Sequence, residues 1–367
     1  MLYCSSSRLI GRAIYIFYVC NETFIAEYAI RVCFFILKKL RTRLHIKIFL
    51  EGERLMTLLS NILPYLLLIL GFLFLIKGAD LFVDGSSSIA KHMKIPSVIV
   101  GLTIVAMGTS APEASVSITA ALAGNSDISL GNIVGSNIFN FLVVIGVSAI
   151  IFPVISHKDI LKRDLWWNLG ITGVLLLLMV DNKIGRLDGV ILLAGMALYL
   201  FIVIRNALKN RTPESEEKLL SVPKSIIFMI VGLAAIIVGG NFVVDNASII
   251  AASLGLSETL IGLTIVAIGT SLPELVTSVT AAKKQEAGIA LGNAVGSNIF
   301  NILFILGASS TLTPINVAPE LFIDTIILIV VSIVIFICAH TKNITSRKEG
   351  IVCVLLYIVY SAYIIIR

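Results

Sequence analysis

Two stretches of this chain are nearly the same sequence. Gly101 to Gly146, which begins GLTIVAMGTSAPE and ends GNIVGSNIFNFLVVIG, aligns without a gap on Gly262 to Gly307, GLTIVAIGTSLPE to GNAVGSNIFNILFILG, with 28 of 46 positions identical at a constant offset of 161. A repeat of that length means that one structural unit recurs, and the fold has to place both copies. The same offset carries Gly71 onto Gly232, Gly78 onto Gly239 and Asp84 onto Asp245, so the duplication reaches back through the segment that precedes each signature.

The surroundings of the repeats place them in a bilayer. The chain is 57% hydrophobic and 14% charged, with a mean hydropathy of +1.01, beyond what a water-soluble domain tolerates. A spanning helix needs roughly 20 mostly apolar residues. Ten such stretches are expected, at Ile62 to Ile76, Ser97 to Leu122, Ile128 to Ile151, Trp166 to Met179, Leu187 to Ile204, Ile226 to Val244, Thr259 to Ala282, Ala287 to Leu312, Leu321 to Ala339 and Ile351 to Ile366. The expected fold is therefore all-α, a polytopic membrane protein of ten transmembrane helices in two five-helix copies. Five is odd, so the second copy enters the membrane from the opposite side and the repeats are inverted. The copies are expected at 56–207 and 223–367, joined by a polar linker at 208–222.

The net charge of +6 raises the question of nucleic acid, but its placement answers to membrane topology. About fifteen Lys and Arg, from Lys91 and Lys94 to Arg347 and Lys348, fall in loops after odd-numbered stretches, against Lys183 and Arg186 after even-numbered ones. By the positive-inside rule the first set is cytoplasmic and both ends of the ten-helix body lie outside. Residues 1–55 form an amino-terminal extension that breaks this pattern, with a basic run through Lys38, Lys39, Arg41, Arg43, Lys47 and Arg54 on the wrong side. Glu51-Gly52-Glu53 just before Met56 is a stretch whose codons can spell a ribosome-binding site, and initiation at Met56 is the expectation. Cys338 and Cys353 sit singly in apolar stretches without metal-ligand spacing and read as small buried hydrophobes. Trp166 and Trp167 read as an interfacial belt, and Asp84 and Asp245 as caps or interfacial residues at the ends of the first and sixth stretches.

The chemistry lies in the signatures. Each Gly-Thr-Ser-x-Pro-Glu puts an acid, Glu113 or Glu274, well inside an apolar stretch, at a cost on the order of 3 kcal/mol or more. No Lys or Arg in those stretches offsets it, and the simplest counter-charge is a bound cation. Pro112 and Pro273 remove a backbone donor and break the helix, freeing carbonyls as ligands. Thr109, Ser110, Thr270 and Ser271 add hydroxyls, giving the all-oxygen surroundings that hard cations such as Na⁺ and Ca²⁺ prefer. Ser110 with Glu113 and Ser271 with Glu274 also have the spacing of capping boxes, which explains an acid without a ligand but not two at symmetry-related positions. In the second signature Ser136 and Asn140, like Ser297 and Asn301, are four apart on one helix face and offer neutral oxygens. Gly131 with Gly135, and Gly292 with Gly296, have the small-residue spacing of close helix packing.

At these residues the chain resembles the calcium/cation antiporter superfamily, in its prokaryotic sodium/calcium exchanger branch, from Leu58 to the carboxyl end. The resemblance implies that the second, third, seventh and eighth helices enclose the central cation sites while the first and sixth slide past them. Matched motif by motif, the family's carboxylate ligands fall on Glu113 and Glu274. Its hydroxyl ligands fall on Thr109, Ser110, Ser136, Thr270, Ser271 and Ser297, its carbonyl ligands on Ala106 and Ala267, and its central amide on Asn140. Asn301 departs from the pattern, because an archaeal member carries an aspartate there. The expected activity is Ca²⁺/Na⁺ antiport across a prokaryotic plasma (inner) membrane. Ca²⁺/H⁺ antiport is the alternative that Asn301 favours, and a passive cation channel is a more distant one. The expected partners are the ions and the lipid bilayer, with no cofactor, no nucleic acid and no obligate protein partner. No nucleotide-binding or metalloprotease motif points to an enzyme.

Overall fold

A computed structural model describes residues 53–155, 163–209, 219–255, 265, 267–340 and 344–366. The chain divides into two units, Met1–Pro64 and Tyr65–Arg367, and the second contains every described helix but the start of the first described one. The helices are α1 Glu53–His92, α2 Ser97–Thr109, α3 Ala111–Leu122, α4 Ser126–Ile151, α5 Leu165–Leu178, α6 Arg186–Lys209, α7 Val222–Ser253, α8 Ala267–Thr270, α9 Leu272–Lys283, α10 Ala287–Leu312, α11 Pro319–His340 and α12 Arg347–Ile366. Among the described residues seven helices are long and apolar enough to cross a membrane, or eight if the bent pair α2 and α3 is one span; α5 is apolar but shorter. The expectations for most of the amino-terminal extension, for the linker over 210–218 and for the start of the seventh stretch, 256–264, lie outside the described residues.

The signature helices form the inside. In α10, 94% of the apolar window is buried within the protein and in α4 78%, whereas α6 and α7 bury 28% each and α12 17%. The sequence of α10 explains this, because Gly292 and Gly296 carry no side chain where the backbone of α2 crosses. A Cβ added at Gly296 would lie 2.6 Å from the Leu102 carbonyl oxygen. Small residues at helix crossings are how helices gain van der Waals contact in lipid, where no hydrophobic drive separates protein from solvent.

Away from this centre, helices of one copy pack on helices of the other. Gly71, Gly78 and Gly85 in α1 face Gly239, Gly232 and Ser225 in α7, so equivalent glycines meet crosswise with a seven-residue spacing on both helices. Gly146 in α4 meets Gly350 in α12, and Gly189 in α6 meets Gly307 in α10. Two short antiparallel ribbons repeat the crossing: β1 (Val154–Ile155) pairs with β4 (Ile344–Thr345), and β2 (Lys183–Ile184) with β3 (Ile315–Asn316).

Asp84 and Asp245 do not cap helices. α1 continues to His92 and α7 to Ser253, well past the points where charge interrupts the apolar runs. The charged residues end the apolar stretch and not the helix, since Ala79, Phe82, Val83 and Ala90 keep one face of α1 buried. Asp84 accepts from Lys284 Nζ at 2.7 Å, and the same ammonium donates to the Asp80 carbonyl at 2.9 Å. Lys91 lies 3.4 Å from Glu286, which Ser87 also contacts. These half-exposed pairs fasten α1 to the turn between α9 and α10.

A side chain at Gly232 would place its Cβ 2.6 Å from the Phe82 amide nitrogen, where only backbone could move aside. Gly232→Leu is expected to cost about 1–3 kcal/mol by overpacking, read as a lowered melting temperature of the detergent-purified protein.

Candidate ion site

Two breaks create the site. Ser110 (φ −82°, ψ 11°) interrupts the path from α2 to α3, whose axes diverge by 48°, and Ser271 (φ −92°, ψ 5°) separates α8 from α9. Pro112 and Pro273 lie in the first turn after each break, where a missing N–H costs nothing. Each break is thus a single residue outside the helical region, and its serine is released from the helix surface.

These serines do not close capping boxes. Neither α3 nor α9 has a side-chain cap hydrogen bond. Instead Ser110 Oγ donates to Glu274 Oε1 at 2.7 Å and Ser271 Oγ to Glu113 Oε1 at 3.0 Å, each serine serving the acid of the other copy. Ser297 Oγ is 3.3 Å from Glu274 Oε1, and Ser271 Oγ is 3.1 Å from Ser136 Oγ. Both glutamates are fully buried, and among the described residues neither has an ion-pair partner. Hydrogen bonds thus link Ser110 and Ser297 to Glu274, and Ser271 to Glu113 and Ser136.

A second tier lies on α4 and α10. Asn140 and Asn301 begin π-helical stretches, Asn140–Val144 and Asn301–Leu306, a distortion often found at functional sites. Asn140 Nδ2 donates to Asn298 Oδ1 at 3.1 Å, and Asn301 Nδ2 to Asn137 Oδ1 at 2.9 Å. Asn137 and Asn298 exchange amide-to-carbonyl bonds at 3.2 and 3.1 Å. These bonds use one N–H each of Asn140 and Asn301 and leave their oxygens over. Four buried oxygens, Glu113 Oε2, Glu274 Oε2, Asn140 Oδ1 and Asn301 Oδ1, have no hydrogen-bond partner. Unpaired buried acceptors are costly, and these four belong to two symmetry-related acids and two symmetry-related amides.

The expected carbonyls behave differently in the two copies. Ala106 O keeps a helical bond, accepting the Ser110 amide at 3.0 Å, so proline does not free it; its second lone pair lies 3.5 Å from Ser297 Oγ. In the other copy the Ser271 amide turns to Ile268 O at 3.2 Å and bypasses Ala267. Thr109 and Thr270 reach across the copies to Asn293 Oδ1 at 3.0 Å and Asn132 Oδ1 at 3.4 Å. Sequence reasoning gave no role to Asn132, Asn137, Asn293 or Asn298, although all four are in the second signature. Asn132, Ser136 and Asn140 recur every fourth residue and so share one face, a signal that was available. Among the described residues no three His, Cys, Asp or Glu side chains cluster, so the candidate site rests on neutral oxygens around two acids.

The model of the family described as sodium/calcium exchanger protein matches residues 63–205 and, a second time, residues 224–366. The chain belongs to the sodium/calcium exchanger family. It is a multi-pass membrane transporter and not an enzyme. This family member is 36% identical over 308 residues to inner membrane protein YrbG of Escherichia coli, covering 81% of this chain and 95% of that one. It is 34% identical over 339 residues to the sodium/calcium exchanger MaX1 of Methanosarcina acetivorans, covering 81% and 97%. Its fold matches a structure of the sodium-calcium exchanger NCX_Mj soaked with Na⁺ and Sr²⁺, with a TM-score of 0.74 and 35% identity over 82% of this chain and 98% of that one.

Asn137→Ala would strand the Asn301 amide and remove the bond to Asn298 O in a buried setting. The expected cost is about 1–3 kcal/mol. Asn298→Ala should match it closely by symmetry, and parallel thermal melts of the two variants in detergent would check both.

Proposed function

We propose that the chain is a secondary active antiporter that exchanges Ca²⁺ for Na⁺ by alternating access at a site built on Glu113 and Glu274. The observation that carries this reading is the set of four buried, unpartnered oxygens on two acids and two amides, gathered by serines that cross between the copies. Thr109, Ser110, Ser136, Thr270, Ser271, Ser297 and the carbonyls of Ala106 and Ala267 complete the proposed shell. The family match, the exchanger MaX1 and the likeness to NCX_Mj support the ions named.

Two buried acids supply two negative charges, which one Ca²⁺ or a set of monovalent ions can balance, but not both loads together. Competition for the same oxygens couples the fluxes. Two like charges without a counter-ion repel strongly at low dielectric, so the site crosses between its inward and outward forms only when loaded. The gradient of the counter-ion then drives Ca²⁺ export. The proposed framework is ten spans in two inverted five-helix copies, 56–207 and 223–367, with a cytoplasmic linker at 208–222. The constant offset of 161, the crosswise glycine contacts and the crosswise ribbons all support it. The loop charges favour both ends of this body outside, and the likeness to an inner membrane protein favours a prokaryotic inner membrane.

Asn301 supports a second reading, Ca²⁺/H⁺ antiport, since a neutral amide in place of an acid reduces the charge available to several Na⁺. An imposed Na⁺ gradient is expected to drive ⁴⁵Ca²⁺ uptake into proteoliposomes, and dependence on a pH gradient alone would select the second reading. Glu113→Gln and Glu274→Gln should each abolish uptake while the purified protein stays monodisperse. Uptake at the normal rate by either variant would remove the acids from the mechanism.

A further inference from the structure

Asn132 and Asn293 occupy equivalent places in the two copies and make the same three contacts. Asn293 Nδ2 donates to the backbone oxygen of Glu274 at 3.3 Å and to Ser278 Oγ at 3.0 Å, one turn further along α9. Its Oδ1 accepts Thr109 Oγ1 from the other copy at 3.0 Å. Asn132 Nδ2 reaches the Glu113 backbone oxygen at 3.3 Å and Ser117 Oγ at 2.8 Å, and Oδ1 accepts Thr270 Oγ1 at 3.4 Å. In both residues the amide protons are spent on the helix that carries the acid. The oxygen is thereby fixed toward the opposite copy's threonine.

A threonine hydroxyl has one proton, and several acceptors lie within reach of Thr109 Oγ1, the Glu274 carboxylate among them. Besides Asn293 Oδ1, the carbonyls of Val105 and Ala106 lie 3.1 and 3.3 Å from Thr109 Oγ1. Ala106 O already accepts the Ser110 amide and lies 3.5 Å from Ser297 Oγ. A carbonyl has two lone pairs, so a second donor leaves it nothing for a cation. Asn293 draws the Thr109 proton away from that carbonyl. It thus turns the Thr109 oxygen's lone pairs toward the proposed shell and removes one competing donor from the Ala106 oxygen, whose other neighbour, Ser297 Oγ, can donate to Glu274 Oε1 at 3.3 Å instead.

We infer that Asn132 and Asn293 are positioning residues that set ion affinity by holding the hydroxyl protons of Thr270 and Thr109, and that they do not touch the ion themselves. This rests on the antiport reading above. Groups that orient metal ligands from the next layer out typically change metal affinity by about 10- to 100-fold when removed.

The test is a double-mutant cycle in proteoliposomes, reading half-saturating Ca²⁺ and maximal exchange rate separately. Asn293→Leu is expected to raise half-saturating Ca²⁺ about 10- to 100-fold with a much smaller change in maximal rate. In a Thr109→Val background, which has no hydroxyl proton to misplace, Asn293→Leu should add less than about a twofold shift, the non-additivity expected of groups acting as a unit. Ser278→Ala, which weakens the tie to α9 but leaves the Thr109 acceptor in place, is expected to shift half-saturation less than Asn293→Leu. Additive shifts in the cycle, or a Ser278→Ala effect equal to that of Asn293→Leu, would make Asn293 a helix tie only and overturn the inference. If Asn293→Leu does not give monodisperse protein, Asn132→Leu with Thr270→Val runs the same cycle at the less buried copy, with the same two outcomes. Absence of exchange by the unmodified protein would instead overturn the antiport reading, so the two failures are distinct.

Discussion

The exchange of hydroxyls between the copies is the constraint on which the rest of the architecture depends. Ser110 serves Glu274 and Ser271 serves Glu113, so neither half can form a satisfied site alone. Each serine is also the one residue that leaves the helical region at its break. Breaking the helix and delivering the donor are therefore a single conformational event. Both acids are thereby held fully buried, each on a hydroxyl from the opposite copy, and in the proposed exchanger a cation would balance their charge.

Close packing makes that convergence possible. Ser297 Oγ comes within 3.5 Å of Ala106 O only because α2 approaches α10 backbone to backbone, and glycines at the crossing permit it. The outer pairs use the same device, with Gly71 against Gly239 and Gly78 against Gly232. Every such contact joins one copy to the other. The asparagine lattice of Asn137, Asn140, Asn298 and Asn301 follows the same rule, with each amide bonded to the opposite copy and the Asn140 and Asn301 oxygens left without a partner.

Where sequence reasoning fell short, the cause was a local pattern overruled by a distant partner. The spacing of Ser110 and Glu113 satisfies a capping box, and only the arrival of Glu274 from 164 residues away gives the hydroxyl a charged acceptor instead. The end of an apolar run at Lys77 and Asp80 resembled the end of a helix, yet α1 continues because its buried face is held by other helices. Asn132 and Asn293 were visible within a repeated motif but had no evident role, since their contacts with Thr270 and Thr109 span 138 and 184 residues.

The amino-acid sequence by itself determined the membrane setting, the duplication, the two helix breaks and the two acids. Each of these follows from local composition, from self-similarity or from proline's missing N–H. Tertiary structure alone decided which serine serves which acid, which glycines meet and which amide oxygens are left without a donor. These are relations between the two copies, and a repeat written twice in sequence carries no mark of whether its parts pair within a copy or across the pseudo-symmetry axis. Packing settles the choice, because the backbone can approach closely enough for hydrogen bonds at the centre only where small residues of opposite copies coincide.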